Sequence, residues 1–393
     1  MIYRRFGRTE LRMPVFSCGG MRYQHAWKEN ESEEIPAASQ ANLEACIRRA
    51  LELGINHIET ARGYGTSEQQ LGRILPGLPR DSIIVQTKAA PADSPADFLA
   101  SFDKSMARLG LDHVDLLGLH GINNAQILDW AIRPGGCLEA AQRLRGQGRV
   151  RFIGFSTHAP LEVILRAIDT GGFDYINLHW YWIFQDNWPA IEAAARHDMG
   201  VFIISPSDKG GQLFNPPARL AELCRPLSPL AFNDLFCLSH PEIHTLSVGA
   251  ARPSDFDAHV ECLEHLGAAK DVLEPILDRL DKAYVDALGE RWARQWSQGL
   301  PSWEETPGGI NIPFILRLWN LARAFGMEEF ARYRYNMLGG GGHWVPGYKA
   351  ADADSLDFGD CLKDSPFAAE MPQRLKEAHA ALNRQDEKRL SQR

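Results

Sequence analysis

The most constraining feature of the sequence is an alternation of short apolar segments with longer amphipathic ones over about the first 270 residues. Eight short segments have the length and composition of buried strands, and most are followed by apolar residues at helical spacing. The predicted strands are residues 15–20, 55–60, 82–87, 114–119, 151–155, 174–178, 201–204 and 245–248. Strands joined by helices pair in parallel, because each connection crosses back over the sheet. Eight such units predict an α/β protein with a closed (β/α)8 TIM barrel.

An open, doubly wound sheet is the alternative arrangement of the same units. The first predicted strand is not followed by the G-x-G-x-x-G turn of dinucleotide-binding sheets, which favours the barrel. Residues 3–6 and 11–13 predict a hairpin ahead of the barrel. The last helix of the barrel is predicted at 253–267, after the eighth strand. Beyond about residue 270 the strand pattern ends, and helices are predicted at 271–296, 312–325 and 367–383. We therefore divide the chain into a barrel, residues 1–275, and a helical C-terminal extension, residues 276–393.

Composition excludes several classes of protein. Lys plus Arg number 42 and Asp plus Glu 50, and this net charge of −8 argues against a nucleic-acid binder. No apolar run approaches the roughly 20 residues of a membrane span, and the first residues lack the apolar core of a secretory signal. The seven cysteines are dispersed, which indicates a reducing compartment, by default the cytoplasm, and argues against a metal site.

Titratable residues follow the predicted strands at one end. Glu59, Lys88, His120 and Ser156 stand at or near the ends of strands two to five, and Tyr64 lies on a glycine-flanked loop after the second. In a (β/α)8 barrel these positions meet at the functional face. Each alone has a structural alternative, such as a buried ion pair or a hydrogen-bonded histidine. Together they predict a catalytic site.

The predicted set is suited to proton transfer. A tyrosine is a poor acid at neutral pH, because its ordinary pKa is about 10. A neighbouring lysine ammonium favours the phenolate, so we expect Lys88 to lower the pKa of Tyr64. Glu59 would keep the lysine charged and in place. His120 can hold a substrate carbonyl by a hydrogen bond to its oxygen.

Four stretches carry a resemblance to a known family. GINHIETARGYGTSEQQLG at 54–72, the strand containing Lys88, DLLGLH at 115–120 and GFSTH at 154–158 resemble the aldo-keto reductase superfamily over residues 1–270. The resemblance implies NAD(P)H-dependent reduction of a carbonyl, with Tyr64 as the acid. Lys88 and Glu59 would adjust the pKa of Tyr64, and His120 would position the substrate.

The same resemblance implies where a cofactor binds. Ser156, Thr157 and Asn177 correspond to the residues around the nicotinamide carboxamide. The segments SPSDKGG and GAARPSDFDAH correspond to those that cover the pyrophosphate and the adenosine end. The residues of these two segments expected to contact the cofactor are Ser205, Pro206, Lys209, Gly211, Gly249, Arg252, Ser254 and His259.

Several positions depart from the family pattern. Residue 59 is usually Asp, Thr157 stands where many members have Asn, and Asn177 where most have Gln. Arg252 and Ser254 could take a 2′-phosphate, whereas an acid at Asp255 opposes it. His259 also replaces an Asn. We therefore expect NADPH, with NADH as the alternative.

The C-terminal region resembles a subgroup of these reductases that has a ferredoxin-like tail. Residues 296–313 keep its Pro-x-Gly-x-x-Ile-Pro element but contain no cysteine. An iron–sulfur cluster needs about four thiolates, so none is expected here. We expect Trp303, Trp319 and Trp344 to pack as core of a structural cap, with a role in the substrate pocket or in an oligomer interface as the alternative.

Two functions are open at this point. The first is reduction of an aldehyde, ketone or sugar-like carbonyl, or the reverse oxidation of an alcohol. The second is a cofactor-binding redox sensor or scaffold in which Glu59 weakens catalysis. Aromatic residues at 180–188 would suit stacking of a substrate or packing against the outer helices. We expect a small-molecule partner, with no nucleic acid and no membrane, and the sequence does not indicate the oligomeric state.

Overall fold

The computed structural model describes residues 1–27, 34–340 and 345–388. The chain forms two compact units, one of residues 1–210 with 230–269 and the other of residues 211–229 with 270–393. Residues 211–229 thus group with the C-terminal part of the chain, although they precede the eighth predicted strand. The sequence had suggested a single boundary at residue 275.

Ten strands belong to the first unit, and eight of them close into a barrel. The strands are β1 (Tyr3–Arg5), β2 (Arg12–Pro14), β3 (Phe16–Gly19), β4 (His57–Glu59), β5 (Ile84–Ala89), β6 (Val114–Leu119), β7 (Val150–Ser156), β8 (Tyr175–Leu178), β9 (Gly200–Ile203) and β10 (Thr245–Val248). Neighbours from β3 to β10 pair in parallel, and β10 pairs with β3. The predicted (β/α)8 barrel is confirmed, and so is the hairpin, since β1 and β2 pair antiparallel.

The helices follow the strands through the barrel and continue beyond it. They are α1 (Ala37–Glu52), α2 (Ser67–Leu71), α3 (Pro95–Leu109), α4 (Ala125–Ile132), α5 (Cys137–Gly146), α6 (Leu161–Asp169), α7 (Trp188–Arg196), α8 (Ala218–Leu223), α9 (Pro229–Leu238), α10 (Asp255–Val260), α11 (Ala269–Leu288), α12 (Glu290–Gln295), α13 (Ile312–Phe325), α14 (Glu328–Tyr335) and α15 (Met371–Leu382). Helix α3 is typical of the barrel helices, because it buries a stripe containing Phe98, Phe102 and Met106. It ends at Gly110, whose φ of 64° is the left-handed conformation that glycine adopts most easily.

The hairpin β1–β2 closes the base of the barrel. Phe6 is completely buried in an apolar cluster with Met13, Leu116 and Phe202. Arg4 ties the hairpin down, since its guanidinium donates to the carbonyl oxygens of Leu238 at 2.5 Å, of His240 at 3.1 Å and of Ile243. The base is therefore an apolar core held by residues from both ends of the barrel sequence.

Two predicted helices differ from those observed. The helix expected over 271–296 breaks at Gly289, whose φ of 82° no right-handed helix contains, so that α11 and α12 are separate. The helix expected over 253–267 is α10 followed by a 3-10 segment, Glu261–Ala268. Helices α4, α8, α9 and α14 were not expected. Of these, α4 begins at Asn124, whose side chain accepts a hydrogen bond of 2.9 Å from the backbone N–H of Ile127.

The second unit is mainly helical, as expected, and its central helix is α13. This helix buries Trp319, and the amide oxygen of Asn320 accepts a 2.9 Å hydrogen bond from the indole N–H of Trp292. Trp303 is only half-buried, and Trp344 lies outside the described residues. In the described part of the chain no helix is long and apolar enough to cross a membrane.

Candidate active site

The carboxyl ends of the barrel strands bring the predicted catalytic residues together. Glu59 is the last residue of β4, and Lys88 lies near the end of β5, the adjacent strand. His120 directly follows β6, where its N–H donates to the carbonyl of Ala89 at 2.7 Å. Parallel strands end at the same edge, which explains why residues about 30 positions apart meet.

Lys88 is the centre of this group. Its ammonium forms an ion pair with the carboxylate of Glu59 and donates to the carbonyl of Thr60 at 2.8 Å and to the phenol oxygen of Tyr64 at 3.3 Å. Lys88 and Glu59 are 1% and 2% exposed. An ammonium has three N–H groups, and these three acceptors match that number. Because the phenol oxygen of Tyr64 accepts from Lys88, its own proton is directed to another acceptor.

Backbone contacts place Tyr64 over the end of β5. The N–H of Arg62 donates to the carbonyl of Lys88 at 2.9 Å, which anchors the loop that carries the tyrosine. Gly65 has a φ of 51°, and a Cβ there would lie 1.9 Å from the carbonyl oxygen of Ala26. Only glycine fits this turn. Tyr64 itself remains half-buried, so its ring lies at the boundary between the core and the barrel mouth.

His120 contacts the other side of Tyr64. The two ring centroids are 5.6 Å apart, with an interplanar angle of 84°, an edge-to-face contact. The ammonium of Lys88 lies 4.7 Å from the centroid of the Tyr64 ring. The ring of Tyr64 is thus in contact with both a cation and an imidazole.

Burial governs the proton affinities in this site. It raises the pKa of Tyr64 above its ordinary value and lowers that of Lys88, because loss of water disfavours each charged form. The expectation that Lys88 would lower the pKa of Tyr64 below its ordinary value was therefore wrong for this structure. At neutral pH the phenol holds its proton, as an acid must.

Asn177 and Ser156 form a polar pair beside the catalytic group. They are opposite each other on β8 and β7, and both are buried. Neither amide atom of the Asn177 side chain has a hydrogen-bond partner among the residues that the structure describes. The Ser156 hydroxyl oxygen accepts a hydrogen bond of 2.9 Å from the N–H of Gly121. The proton of the Ser156 hydroxyl therefore remains available for donation. A buried donor and acceptor of this kind fit a ligand carboxamide, which is what a nicotinamide ring presents.

Comparison with known proteins identifies the family of this barrel. Residues 16–212, half of the chain, match the Aldo/keto reductase family. The chain belongs to this family. It is 29% identical over 267 residues to L-galactose dehydrogenase of Arabidopsis thaliana, a match covering 59% of this chain and 82% of that relative.

Solved aldo-keto reductases share the fold. One from Bacillus halodurans in its holo form has a TM-score of 0.57 at 22% identity, covering 71% of this chain and 96% of its own. One from Klebsiella pneumoniae in complex with NADPH has a TM-score of 0.53 at 20% identity, covering 70% and 95%. Family and fold together support oxidoreduction of a carbonyl or alcohol by this aldo/keto reductase. The ferredoxin-like tail remains a resemblance of sequence.

Some predicted cofactor residues of the reductase are hydrogen-bonded to neighbouring loops. The hydroxyl of Thr157 donates to the carbonyl of Ile122 at 2.7 Å. Ser205 and Pro206 follow β9, and Ser205 has a φ of 55°. The ammonium of Lys209 donates to Nε2 of His179 at 3.1 Å. Gly211 is the first residue of the second unit.

The segment after β10 separates into an exposed and a buried part. Arg252 and Ser254 are exposed. The carbonyl oxygen of Gly249 accepts a hydrogen bond of 3.1 Å from the guanidinium of Arg22. Asp255 accepts from the N–H of Ala251 at 2.8 Å and pairs with the Arg252 guanidinium at 3.1 Å.

His259 stands apart from the rest of this segment. It is completely buried, and its Nδ1 lies 2.5 Å from a carboxylate oxygen of Asp234. A side chain so enclosed has a structural role in this conformation, whereas the sequence had suggested a contact with the cofactor.

Sequence reasoning missed a second polar network at the barrel mouth. The imidazoles of His158 and His179 are hydrogen-bonded and stacked, with centroids 4.5 Å apart. His179 also bonds the hydroxyl of Tyr181, which donates to the carbonyl of Ile204. The sequence contains a signal for this network, because His158 and His179 each follow a predicted cofactor residue by two positions. Trp180, by contrast, packs outward, stacking on Phe236 of α9 at 5.0 Å.

Proposed function

We propose that the protein catalyses NAD(P)H-dependent interconversion of a small-molecule carbonyl compound and its alcohol, with Tyr64 as the general acid in reduction. The observation that carries this proposal is the bonding of Lys88, which donates to both Glu59 and the oxygen of Tyr64. This arrangement leaves the phenol proton for a substrate oxygen. The relative from Arabidopsis thaliana is a dehydrogenase of L-galactose by name, which favours a sugar-like substrate.

Each residue of the group has a distinct role in this proposal. A bound dihydronicotinamide would supply hydride to the carbonyl carbon. Tyr64 gives its proton to the carbonyl oxygen, and the ammonium of Lys88 stabilises the phenolate that remains. Glu59 holds Lys88 in place through the buried ion pair. His120, in edge contact with Tyr64, orients the carbonyl oxygen toward the acid.

The cofactor would lie across the ends of β7 to β10. The amide of Asn177 and the hydroxyl of Ser156 would bond the carboxamide, since the buried amide has both a donor and an acceptor to offer. The proposed contacts for the remainder of the cofactor are the backbone around Thr157, the loop of Ser205, Pro206 and Lys209, and the turn at Gly249.

NADPH is the proposed cofactor rather than NADH. Exposed Arg252 and Ser254 could bind a 2′-phosphate. Asp255 opposes a phosphate less than its charge suggests, because its oxygens accept from the backbone of residues 251 and 252 and from the Arg252 guanidinium. The solved Klebsiella pneumoniae reductase in complex with NADPH gives general support.

The first test is a titration of the protein with NADPH and with NADH, followed by the fluorescence of its ten tryptophans. We expect saturable binding at micromolar concentration or tighter, with NADPH preferred. Arg252→Gln should reduce the preference and leave NADH binding unchanged. If neither cofactor binds, the proposed function is wrong.

The second test replaces the acid. Tyr64→Phe should lower kcat for reduction of aldehydes and sugar carbonyls by about 100- to 10,000-fold, because general acid catalysis contributes about that much. NADPH affinity should be unchanged, because the phenol does not bind the cofactor in this proposal. Tyr348→Phe is the matched control, since Tyr348 is 56% exposed and belongs to the second unit. Equal activity of the two variants would exclude Tyr64 as the acid.

A further inference from the structure

The loop that carries Tyr64 is anchored on both sides of the tyrosine. Before it, the N–H of Arg62 donates to the carbonyl of Lys88 at 2.9 Å, which ties the loop to β5. After it, Thr66 is hydrogen-bonded to residues 24–26, a segment that follows β3 in the sequence. The position of Tyr64 therefore depends on β5 and on this 24–26 segment.

Thr66 contacts the 24–26 segment through its backbone and through its side chain. Its N–H donates to the carbonyl of Ala26 at 3.0 Å. Its hydroxyl oxygen accepts from the N–H of His25 at 3.0 Å and from the N–H of Ala26 at 3.2 Å. A hydroxyl oxygen has two lone pairs, so these two bonds use its full capacity as an acceptor. One threonine thus holds two successive residues of the neighbouring loop.

The hydroxyl of Thr66 also has a partner on α2. Oε1 of Gln70 accepts from this hydroxyl at 3.0 Å and from the N–H of His25 at 2.8 Å. Gln70 is completely buried, and Thr66 is 6% exposed. The hydroxyl therefore makes one donated and two accepted bonds away from water. Breaking such bonds leaves unsatisfied buried groups, so the arrangement is strongly maintained.

The backbones of the two loops are in close contact as well. A Cβ on Gly65 would lie 1.9 Å from the carbonyl oxygen of Ala26, which is the oxygen that accepts from the N–H of Thr66. The N–H of Ser67 donates to the carbonyl of Tyr64 at 3.0 Å and closes the turn around the tyrosine. A displacement of Thr66 is therefore transmitted to the backbone of Tyr64, two residues earlier.

The usual role of a threonine before a helix does not account for these bonds. Thr66 directly precedes α2, and a threonine in this place commonly accepts from an N–H of the first helical turn. In the described part of the chain, the hydroxyl of Thr66 makes no such bond. It is directed to the neighbouring loop instead.

We infer that Thr66 is a positioning residue for the acid Tyr64, acting through its bonds to the 24–26 segment and to Gln70. The phenol oxygen of Tyr64 lies 3.3 Å from the ammonium of Lys88, which is long for a hydrogen bond, so a small displacement breaks this contact. A displacement of about 1 Å near a catalytic group costs about 100-fold in rate. The inference rests on the proposed role of Tyr64 as the general acid.

Thr66→Val tests the inference, because it removes the hydroxyl and keeps the shape of the side chain. We expect kcat for carbonyl reduction to fall about 10- to 100-fold, with the affinity for NADPH unchanged in the fluorescence titration. Thr66→Ser retains the hydroxyl and should keep most of the parental kcat. An unchanged kcat in Thr66→Val would overturn the inference.

A double-mutant cycle separates positioning from a general effect on the fold. If Thr66 acts through Tyr64, Thr66→Val should not lower the residual kcat of Tyr64→Phe any further, because the acid that it positions is already absent. An equal fall of kcat in both backgrounds would show that Thr66 serves the fold alone.

The same cycle distinguishes failure of the inference from failure of the proposed function. If Tyr64→Phe is as active as the parent, the proposed role of Tyr64 is wrong, and the inference falls with it. If Tyr64→Phe is slow while Thr66→Val has the parental kcat, only the inference is wrong.

Thr9→Val is the matched control at the base of the barrel. The hydroxyl of Thr9 donates to the carbonyl of Phe6 at 2.6 Å and accepts from the N–H of Leu11 at 3.2 Å, and Thr9 is 5% exposed. This variant loses a buried hydroxyl with similar bonds, so Tm should fall while kcat is unchanged. Equal losses of kcat in Thr9→Val and Thr66→Val would contradict a positioning role.

Gln70→Met provides an independent variant, which decides the question if Thr66→Val does not fold. It removes the oxygen that bonds both Thr66 and the N–H of His25. We expect kcat to fall by up to about 10-fold in the parent and to stay the same in Tyr64→Phe. A parental kcat in Gln70→Met, or an equal fall in both backgrounds, would overturn the inference.

Discussion

The two ends of the barrel interior are built from the same strands and yet have opposite chemistry. At the base, Ile84 packs with Phe6, Leu116 and Phe202 in a mainly apolar cluster that also contains the ring of Tyr175. Four residues further along β5, Lys88 lies in an ion pair that is almost as deeply buried. The base gains free energy from burial, whereas the mouth retains charges that are costly to bury. Stability and chemistry are therefore separated along β5, and substitutions at the two ends of the barrel should have different consequences.

The largest effect is expected at the mouth. Lys88→Met should lower kcat about 1,000-fold, because the phenolate of Tyr64 loses its cation. It should also lower the free energy of unfolding by roughly 3–5 kcal/mol, since Glu59 is left as an unpaired buried charge. Urea unfolding and steady-state kinetics measure the two losses.

A second substitution separates these two effects of Lys88→Met. The double variant with Lys88→Met and Glu59→Gln no longer contains the unpaired carboxylate. Most of the unfolding free energy should therefore return, while kcat stays low. Recovery of activity in the double variant would show that Lys88 serves only the fold.

At the base, Phe6→Ala should lower the stability of the fold without lowering the activity. Removing this ring leaves a cavity in a close-packed cluster and should cost roughly 3–5 kcal/mol of unfolding free energy. Activity per folded molecule should be unchanged below the unfolding transition. Ile2→Ala is the control from the same end of the chain, since Ile2 is 39% exposed. A large fall in kcat for Phe6→Ala would show that the two ends are coupled.

A smaller effect is expected from shortening the acid of the ion pair. Glu59→Asp should lower kcat by up to about 100-fold, because a displacement of about 1 Å at a catalytic group has that consequence. NADPH affinity should be retained. A faster Glu59→Asp enzyme would instead indicate that glutamate weakens catalysis in this chain, as a cofactor-binding sensor would require.

The smallest predicted effect concerns acid stability. Burial is the main cause that lowers the pKa of His57 to about 3 and that of His244 to about 4 in the folded protein. The unfolded chain binds these protons near pH 6.5, so stability is full above that pH and is lost as the pH falls toward 4. The loss is about 1.4 kcal/mol per pH unit for each histidine.

Urea midpoints measured at about pH 7, 6 and 5 test this dependence, and His57→Gln should reduce its slope. The substitution removes one of these two buried histidines. Equal slopes for the parent and the variant would mean that His57 is protonated in the folded state.

Much of the fold could be predicted because its signals are local. The strand Val114–Leu119 was predicted to the residue, since its mainly apolar residues are bounded by His113 and His120. The break at Gly289 was missed, because an isolated glycine within a helical pattern does not show which conformation it adopts. Helix α4 was missed as well, since its only strong signal is the cap at Asn124.

The candidate site could be predicted in part for the same reason. Glu59, Lys88 and His120 are found by counting strand ends, and the barrel brings them together. The direction of the Tyr64 pKa was missed, because burial depends on the whole loop rather than on its neighbours in sequence. The contact of His259 with Asp234, 25 residues earlier, could not be predicted, because nothing near His259 in the sequence indicates it.

The hairpin that closes the base also constrains the order in which the chain can fold during synthesis. Phe6 and Arg4 leave the ribosome before the barrel strands, but the carbonyl groups that bind Arg4 lie at Leu238, His240 and Ile243. The first strand of the barrel likewise pairs with the last, β10. The hairpin must therefore wait for more than 200 further residues before Arg4 reaches its native contacts. Barrel closure is a late, cooperative event in translation.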